Sequence, residues 1–84
     1  MTLSDIKPVL KDFIIKNYLK KGSRIVLADT DSFLEKGILD SIGVIELASF
    51  IQRTFNFRIK VPEIVPDNFD SLDNLERYIK SKIK

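Results

Sequence analysis

Cysteine and histidine are both absent from this 84-residue chain. Without cysteine there is no disulfide framework and no protein thiolate to serve as nucleophile or metal ligand. Without histidine, the usual general base near neutral pH and the commonest metal ligand are missing too. No paired-carboxylate constellation replaces them. The chain therefore reads as a non-enzyme, with no catalytic residue and no metal ligand set. Long apolar runs are also missing: the longest cover a few residues, against about 20 for a membrane-spanning helix. No secretory signal pattern stands out, so the expectation is a cytoplasmic protein without a membrane span. Repeats, low-complexity tracts and interdomain linkers do not occur either. Residues 1–84 read as one domain, at the short end of the usual range of roughly 50–200 residues.

The chain is 44% hydrophobic and 31% charged, a globular rather than a disordered composition. Its net charge is +2, and positive charge gathers at the ends. Lys7, Lys11, Lys16, Lys20, Lys21 and Arg24 lie in the first third, and Arg77, Lys80, Lys82 and Lys84 close the chain. Between Asp29 and Glu46 the acids Asp29, Asp31, Glu35, Asp40 and Glu46 face only Lys36. A nucleic-acid binder using Lys7, Lys11 and Lys16 would need a continuous basic face, which Asp5 and Asp12 interrupt. The acidic middle repels a phosphate backbone and suits a basic protein partner.

Helical periodicity runs through most of the chain. Leu3, Ile6, Leu10, Phe13 and Ile14 predict a first helix over residues 4–20, with Ser4 as N-cap, Pro8 near the first turn and Gly22 as the stop. A long connection to Asp40 follows. Its apolar residues, among them Leu27, Phe33, Ile38 and Leu39, predict that it packs on the core. A second helix is predicted from Ser41, with Ser41 able to cap it and with Ile42, Ile45, Leu47, Ala48, Ile51 and Phe55 forming one apolar side. On this pattern Ile42, Ile45 and Ala48 are most simply core. Asn56 is the expected terminator, residues 58–61 an extended connector, residues 65–69 a single helical turn, and Ser71 the cap of a last helix bearing Leu72, Leu75, Tyr78 and Ile79. The predicted fold is all-α: a small four-helix bundle with a long first loop and a short third helix.

The run Gly37-Ile38-Leu39-Asp40-Ser41-Ile42-Gly43-Val44-Ile45-Glu46-Leu47 resembles the phosphopantetheine attachment site of acyl and peptidyl carrier proteins. That family's pattern is a glycine, two residues, Asp-Ser-Leu and then, after a short gap, Glu-Leu. Phe33, Phe55, the connector over 59–61 and Phe69-Asp70-Ser71-Leu72 extend the resemblance over nearly the whole chain. It implies a 4'-phosphopantetheine arm, taken from coenzyme A by a phosphopantetheinyl transferase and attached to Ser41, with acyl or aminoacyl groups carried on it as thioesters. Asp40 would support attachment, and Ile42 and Glu46 would be partner-docking positions. The implied partners are the transferase, an acyl- or aminoacyl-loading ligase and synthase or transferase enzymes, acting on a monomeric carrier.

Departures from the family pattern lie on the second helix. Gly43 stands where an acid is common, although glycine there costs roughly 0.5–1 kcal/mol of helix stability, and Gln52 and Arg53 replace further acids. This resembles D-alanyl carriers and stand-alone carriers of specialised fatty-acid, polyketide or peptide pathways more than the housekeeping fatty-acid carrier. The alternative is a carrier-fold interaction module that is never modified. Ser71, in its own Asp-Ser-Leu setting, reads as a helix cap.

Overall fold

A computed structural model describes residues 6–19 and 27–83. Among these residues the chain forms four α helices and one 3-10 turn, and no strand: α1 (Ile6–Tyr18), α2 (Ser41–Phe55), the 3-10 turn (Val61–Glu63), α3 (Pro66–Phe69) and α4 (Leu72–Lys82). None of these helices is long and apolar enough to cross a membrane. The all-α fold and the short third helix agree with the sequence pattern, whereas the expected boundary residues Ser4, Lys20 and Gly22 lie outside the described residues.

In α1, Ile6, Leu10 and Ile14 recur at i, i+4 and i+8 and are completely buried, as an amphipathic helix requires. They pack with Leu47 and Ile51 of α2 and with Leu72, Leu75 and Ile79 of α4 in one continuous core. The helix ends at Tyr18, two residues before the expected Lys20. There the Asn17 side-chain amide donates to the Phe13 carbonyl at 2.8 Å.

The long loop belongs to the core: Leu27, Phe33, Ile38 and Leu39 are all buried. It folds back on itself through Gly37, whose φ of +67° lies in the left-handed region that glycine enters without steric cost. The Ile38 N–H then donates to the Phe33 carbonyl at 2.8 Å. Asp70, at the α3–α4 junction, pins the other side of the loop. Its carbonyl accepts from the Phe33 N–H at 2.9 Å, its carboxylate from the Leu34 N–H at 3.0 Å, and the Ser32 hydroxyl also donates to it.

Lys7 ties α1, the loop and α4 together. Its Nζ lies 3.1 Å from Asp29, 2.5 Å from Asp73 and 3.9 Å from Glu76. Hydrogen bonds to Asp73 and then to Asp29 hold its ammonium well above the ordinary lysine range. Lys16 pairs with Asp12 one turn away at 3.1 Å. Two of the three lysines needed for a basic nucleic-acid face are therefore engaged by acids.

α2 ends at Asn56 as expected, in the left-handed region (φ 57°, ψ 53°), with its N–H donating to Gln52 O. Asparagine tolerates this conformation better than most residues. Gln52 then takes up the connector by accepting from the Ile59 N–H at 2.8 Å.

Glu63 anchors the C-terminal side by contacts with Lys82, the Lys60 N–H and the Tyr78 hydroxyl. Lys82 first, and then the Lys60 N–H, hold its carboxyl below the ordinary value of 4.5. The folded chain thus binds this proton less tightly than the unfolded chain does. The contact stabilises the fold above pH 4.5 and loses its effect as pH falls through the lower folded value. Glu63→Gln is accordingly expected to lose less thermal stability than the wild type between neutral pH and pH 3, as followed by circular dichroism.

Candidate functional site

The start of α2 is decided by two neighbouring residues that can each cap a helix. Asp40 does so: it is extended (φ −104°, ψ −172°), and its Oδ1 accepts from the Gly43 N–H at 2.7 Å. Its carbonyl accepts the first helical bond, from the Val44 N–H at 3.0 Å. This corrects the expectation that Ser41 caps. Asp40 takes the cap from one position earlier, so Ser41 becomes the first helical residue, exposed and with its hydroxyl released from capping.

The Asp70-Ser71 pair shows the opposite outcome. There the serine caps, its Oγ accepting from the Asn74 N–H at 3.1 Å, and it is only 6% exposed. Asp70 is spent on the loop instead. A shift of one residue in the helix start thus separates an available hydroxyl from a committed one. Asp40→Ala is expected to cost about 1 kcal/mol, within the ~0.5–2 kcal/mol typical of a lost N-cap, measured as the shift in a urea unfolding curve.

Ser41 lines an apolar groove of about 300 Å³ between α2, the loop and α3, together with Leu34, Val44, Ile45, Val65, Pro66 and Phe69. The groove walls are fixed by the Asp70 contacts on one side and by the buried Phe69 ring on the other. On the outer side of α2, Ile42 and Ile45 are 67% and 60% exposed, which corrects their reading as core. α2 instead buries Gly43, Leu47, Ala48 and Ile51. The buried residues recur at three- and four-residue spacing and so leave Ile42 and Ile45 rotated away from the core. At Gly43 a Cβ would stand 3.2 Å from Leu39 Cδ2, 3.3 Å from Asp40 Oδ1 and 3.4 Å from Tyr18 Cε1. Because glycine has no side chain, the loop and the Tyr18 ring approach the helix closely on this face. The two isoleucines are turned outward, and Ala48 remains buried as expected.

The acids around Ser41 are not five equivalent free charges. Asp29 is bound to Lys7. Asp31 accepts from the Ala28 N–H at 2.8 Å and pairs with Lys36 at 3.3 Å. The Ala28 N–H, and after it Lys36, hold its carboxyl below the usual range. Asp40 caps α2, and Glu46 accepts from the Tyr18 hydroxyl at 3.0 Å. Burial first, and this hydrogen bond second, push the Tyr18 hydroxyl up to about 12, so it stays a protonated donor at neutral pH.

The sequence pattern did not mark Tyr18 or Asp70 as site residues. Their only signals are Gly43, a small residue that invites close approach, and the repetition of an Asp-Ser pair. Among the described residues no cluster of histidine, cysteine, aspartate or glutamate is grouped to hold a metal ion.

An exposed primary hydroxyl on the first turn of a helix suits a phosphodiester, because free N–H groups and the positive end of the helix dipole gather there. The adjoining apolar groove suits a long uncharged arm. The family model of the phosphopantetheine attachment site matches residues 14–79, and the chain belongs to that family. It is a carrier protein whose cofactor is covalent 4'-phosphopantetheine. No curated protein matches the chain. Among solved structures it is similar to a chain in the crystal structure of Bradyrhizobium japonicum glycine:carrier-protein ligase complexed with glycylated carrier protein. The TM-score is 0.67 and the identity 26%, over 90% of this chain and 96% of that one.

Proposed function

We propose that Ser41 is the attachment residue and that the chain is a dedicated carrier of small aminoacyl or acyl groups in a specialised pathway. The observation that carries this reading is the division of labour at α2, where Asp40 takes the cap and leaves the Ser41 hydroxyl exposed. In loading, Ser41 Oγ would form a bond to the pantetheine-bearing phosphorus of coenzyme A. The bond from that phosphorus to the 3',5'-ADP leaving group breaks, and the hydroxyl proton is released. The bound arm supplies the thiol that this cysteine-free chain lacks.

Asp40 has two roles in this account: it holds the first turn and sets an anionic group beside Ser41 for the transferase. Ile42 and Ile45 give a partner enzyme an apolar contact next to the attachment point, and Glu46 gives it a charged one. The similarity to a chain from a ligase complex with glycylated carrier protein favours an aminoacyl cargo and an aminoacyl-loading ligase. The lack of a uniformly acidic α2, where Gln52 is engaged by the connector and Arg53 is exposed, favours a dedicated carrier over the housekeeping fatty-acid one. The carrier itself performs no chemistry on the cargo, which passes to synthase or transferase enzymes.

The test is intact-mass measurement after incubation with coenzyme A and a broad-specificity phosphopantetheinyl transferase. The expected result is a gain of one phosphopantetheinyl group per chain. No gain under conditions that load a control carrier would overturn the reading and leave an unmodified interaction module.

A further inference from the structure

Glu46 reaches the exposed side of α2 held by a residue that is 28 positions away in sequence. The Tyr18 ring, at the end of α1, is itself fixed. It meets the edge of Phe13 at 5.9 Å between centroids, and Phe13 stacks on Phe50 of α2 at 4.1 Å. The ring lies close to Gly43, where a Cβ would stand 3.4 Å from Tyr18 Cε1, at ordinary contact distance. The ring thus rests on the first turn of α2, against the same glycine whose N–H is capped by Asp40.

We propose that Tyr18 is a positioning residue for loading, its hydroxyl fixing the Glu46 carboxylate on the exposed surface of α2 next to α1, five positions after Ser41, as a second contact for the transferase. The proposal rests on the reading of Ser41 as the attachment residue. A glutamate side chain on an exposed helix face ordinarily samples many rotamers, and ordering it on binding weakens the complex. Here the tyrosine orders it beforehand through Oε2 alone. A carboxylate has lone pairs on both oxygens, so Oε1 can still accept from a cationic or N–H donor on the partner.

The experiment is steady-state loading of the full chain by a broad-specificity phosphopantetheinyl transferase with coenzyme A. Wild type is compared with Tyr18→Phe, Glu46→Ala and the double variant. Tyr18→Phe keeps the ring and removes only the hydroxyl. It is expected to raise KM for the carrier about three- to tenfold, the cost of ordering one long side chain on binding, and to leave kcat within about twofold. In the Glu46→Ala background the same change is expected to have no further effect on KM, because the hydroxyl then has nothing to position.

Glu46→Gln keeps an acceptor for Tyr18 but loses the charge. It is expected to raise KM and to flatten its dependence on salt, whether or not Tyr18→Phe folds well. An unchanged KM in Tyr18→Phe, an effect that persists undiminished without Glu46, or a Glu46→Gln variant indistinguishable from wild type would overturn the proposal. If the wild type gains no mass at all, the reading of Ser41 fails first and takes this one with it.

Discussion

Ser41→Ala is expected to abolish covalent loading and to leave the fold almost untouched. Both halves follow from the one-residue offset at the start of α2. Ser41 is the first residue of the helix rather than its cap, and it is exposed. Its hydroxyl can therefore be deleted without leaving a helix N–H unpaired. Surface substitutions of this kind stay within about 0.5 kcal/mol of wild type, and alanine is the best intrinsic helix former. Loading needs an oxygen at this position, so the expected loss is total rather than partial. Intact mass after transferase treatment reads the first effect and a urea unfolding curve the second. A variant that still gains mass would contradict the assignment. One that loses more than about 2 kcal/mol would contradict the capping geometry.

Phe33→Ala is expected to have the largest effect on stability, although the residue belongs to no regular element. Its side chain is 1% exposed, and its backbone is bound on both sides, the N–H by the Asp70 carbonyl and the carbonyl by the Ile38 N–H. Removing a buried phenyl ring costs ~3–5 kcal/mol. A small domain has only about 5–15 kcal/mol in total, so much of its stability disappears. The loop also forms one wall of the groove beside Ser41 through Leu34, so loading should weaken along with stability. Chemical unfolding followed by circular dichroism is the measurement. A loss below about 1 kcal/mol would mean that the loop lies outside the core.

These two residues mark what the sequence alone could deliver. Phe33 was legible: an apolar residue in a long loop of a small chain has nowhere to go but the core. The all-α architecture, the Asn56 terminator, the Ser71 cap and the short turn at 66–69 were legible for similar local reasons. Hydrophobic period, turn residues and proline placement act over a few positions.

The start of α2 was harder to read, because Asp40 and Ser41 are both good caps and local pattern does not choose between adjacent candidates. The outward turn of Ile42 and Ile45 was missed for another reason. The helix carries apolar residues on more than one face, and the face that packs includes a glycine that gives no hydrophobic signal. Tyr18, Asp70 and Lys7 work through partners 22 to 69 residues away, beyond the reach of any periodicity. The motif containing Ser41 was visible throughout. What the fold adds is the reason this serine, and not Ser71, has a hydroxyl to offer.

Tandem mass spectrometry of the transferase-loaded, proteolysed chain tests that distinction most directly. One phosphopantetheinyl group per chain is expected, carried by the Ser41 hydroxyl, with Ser71 and every other serine unmodified. A group found on another serine, or a chain that stays unmodified while a control carrier is loaded, would contradict the assignment.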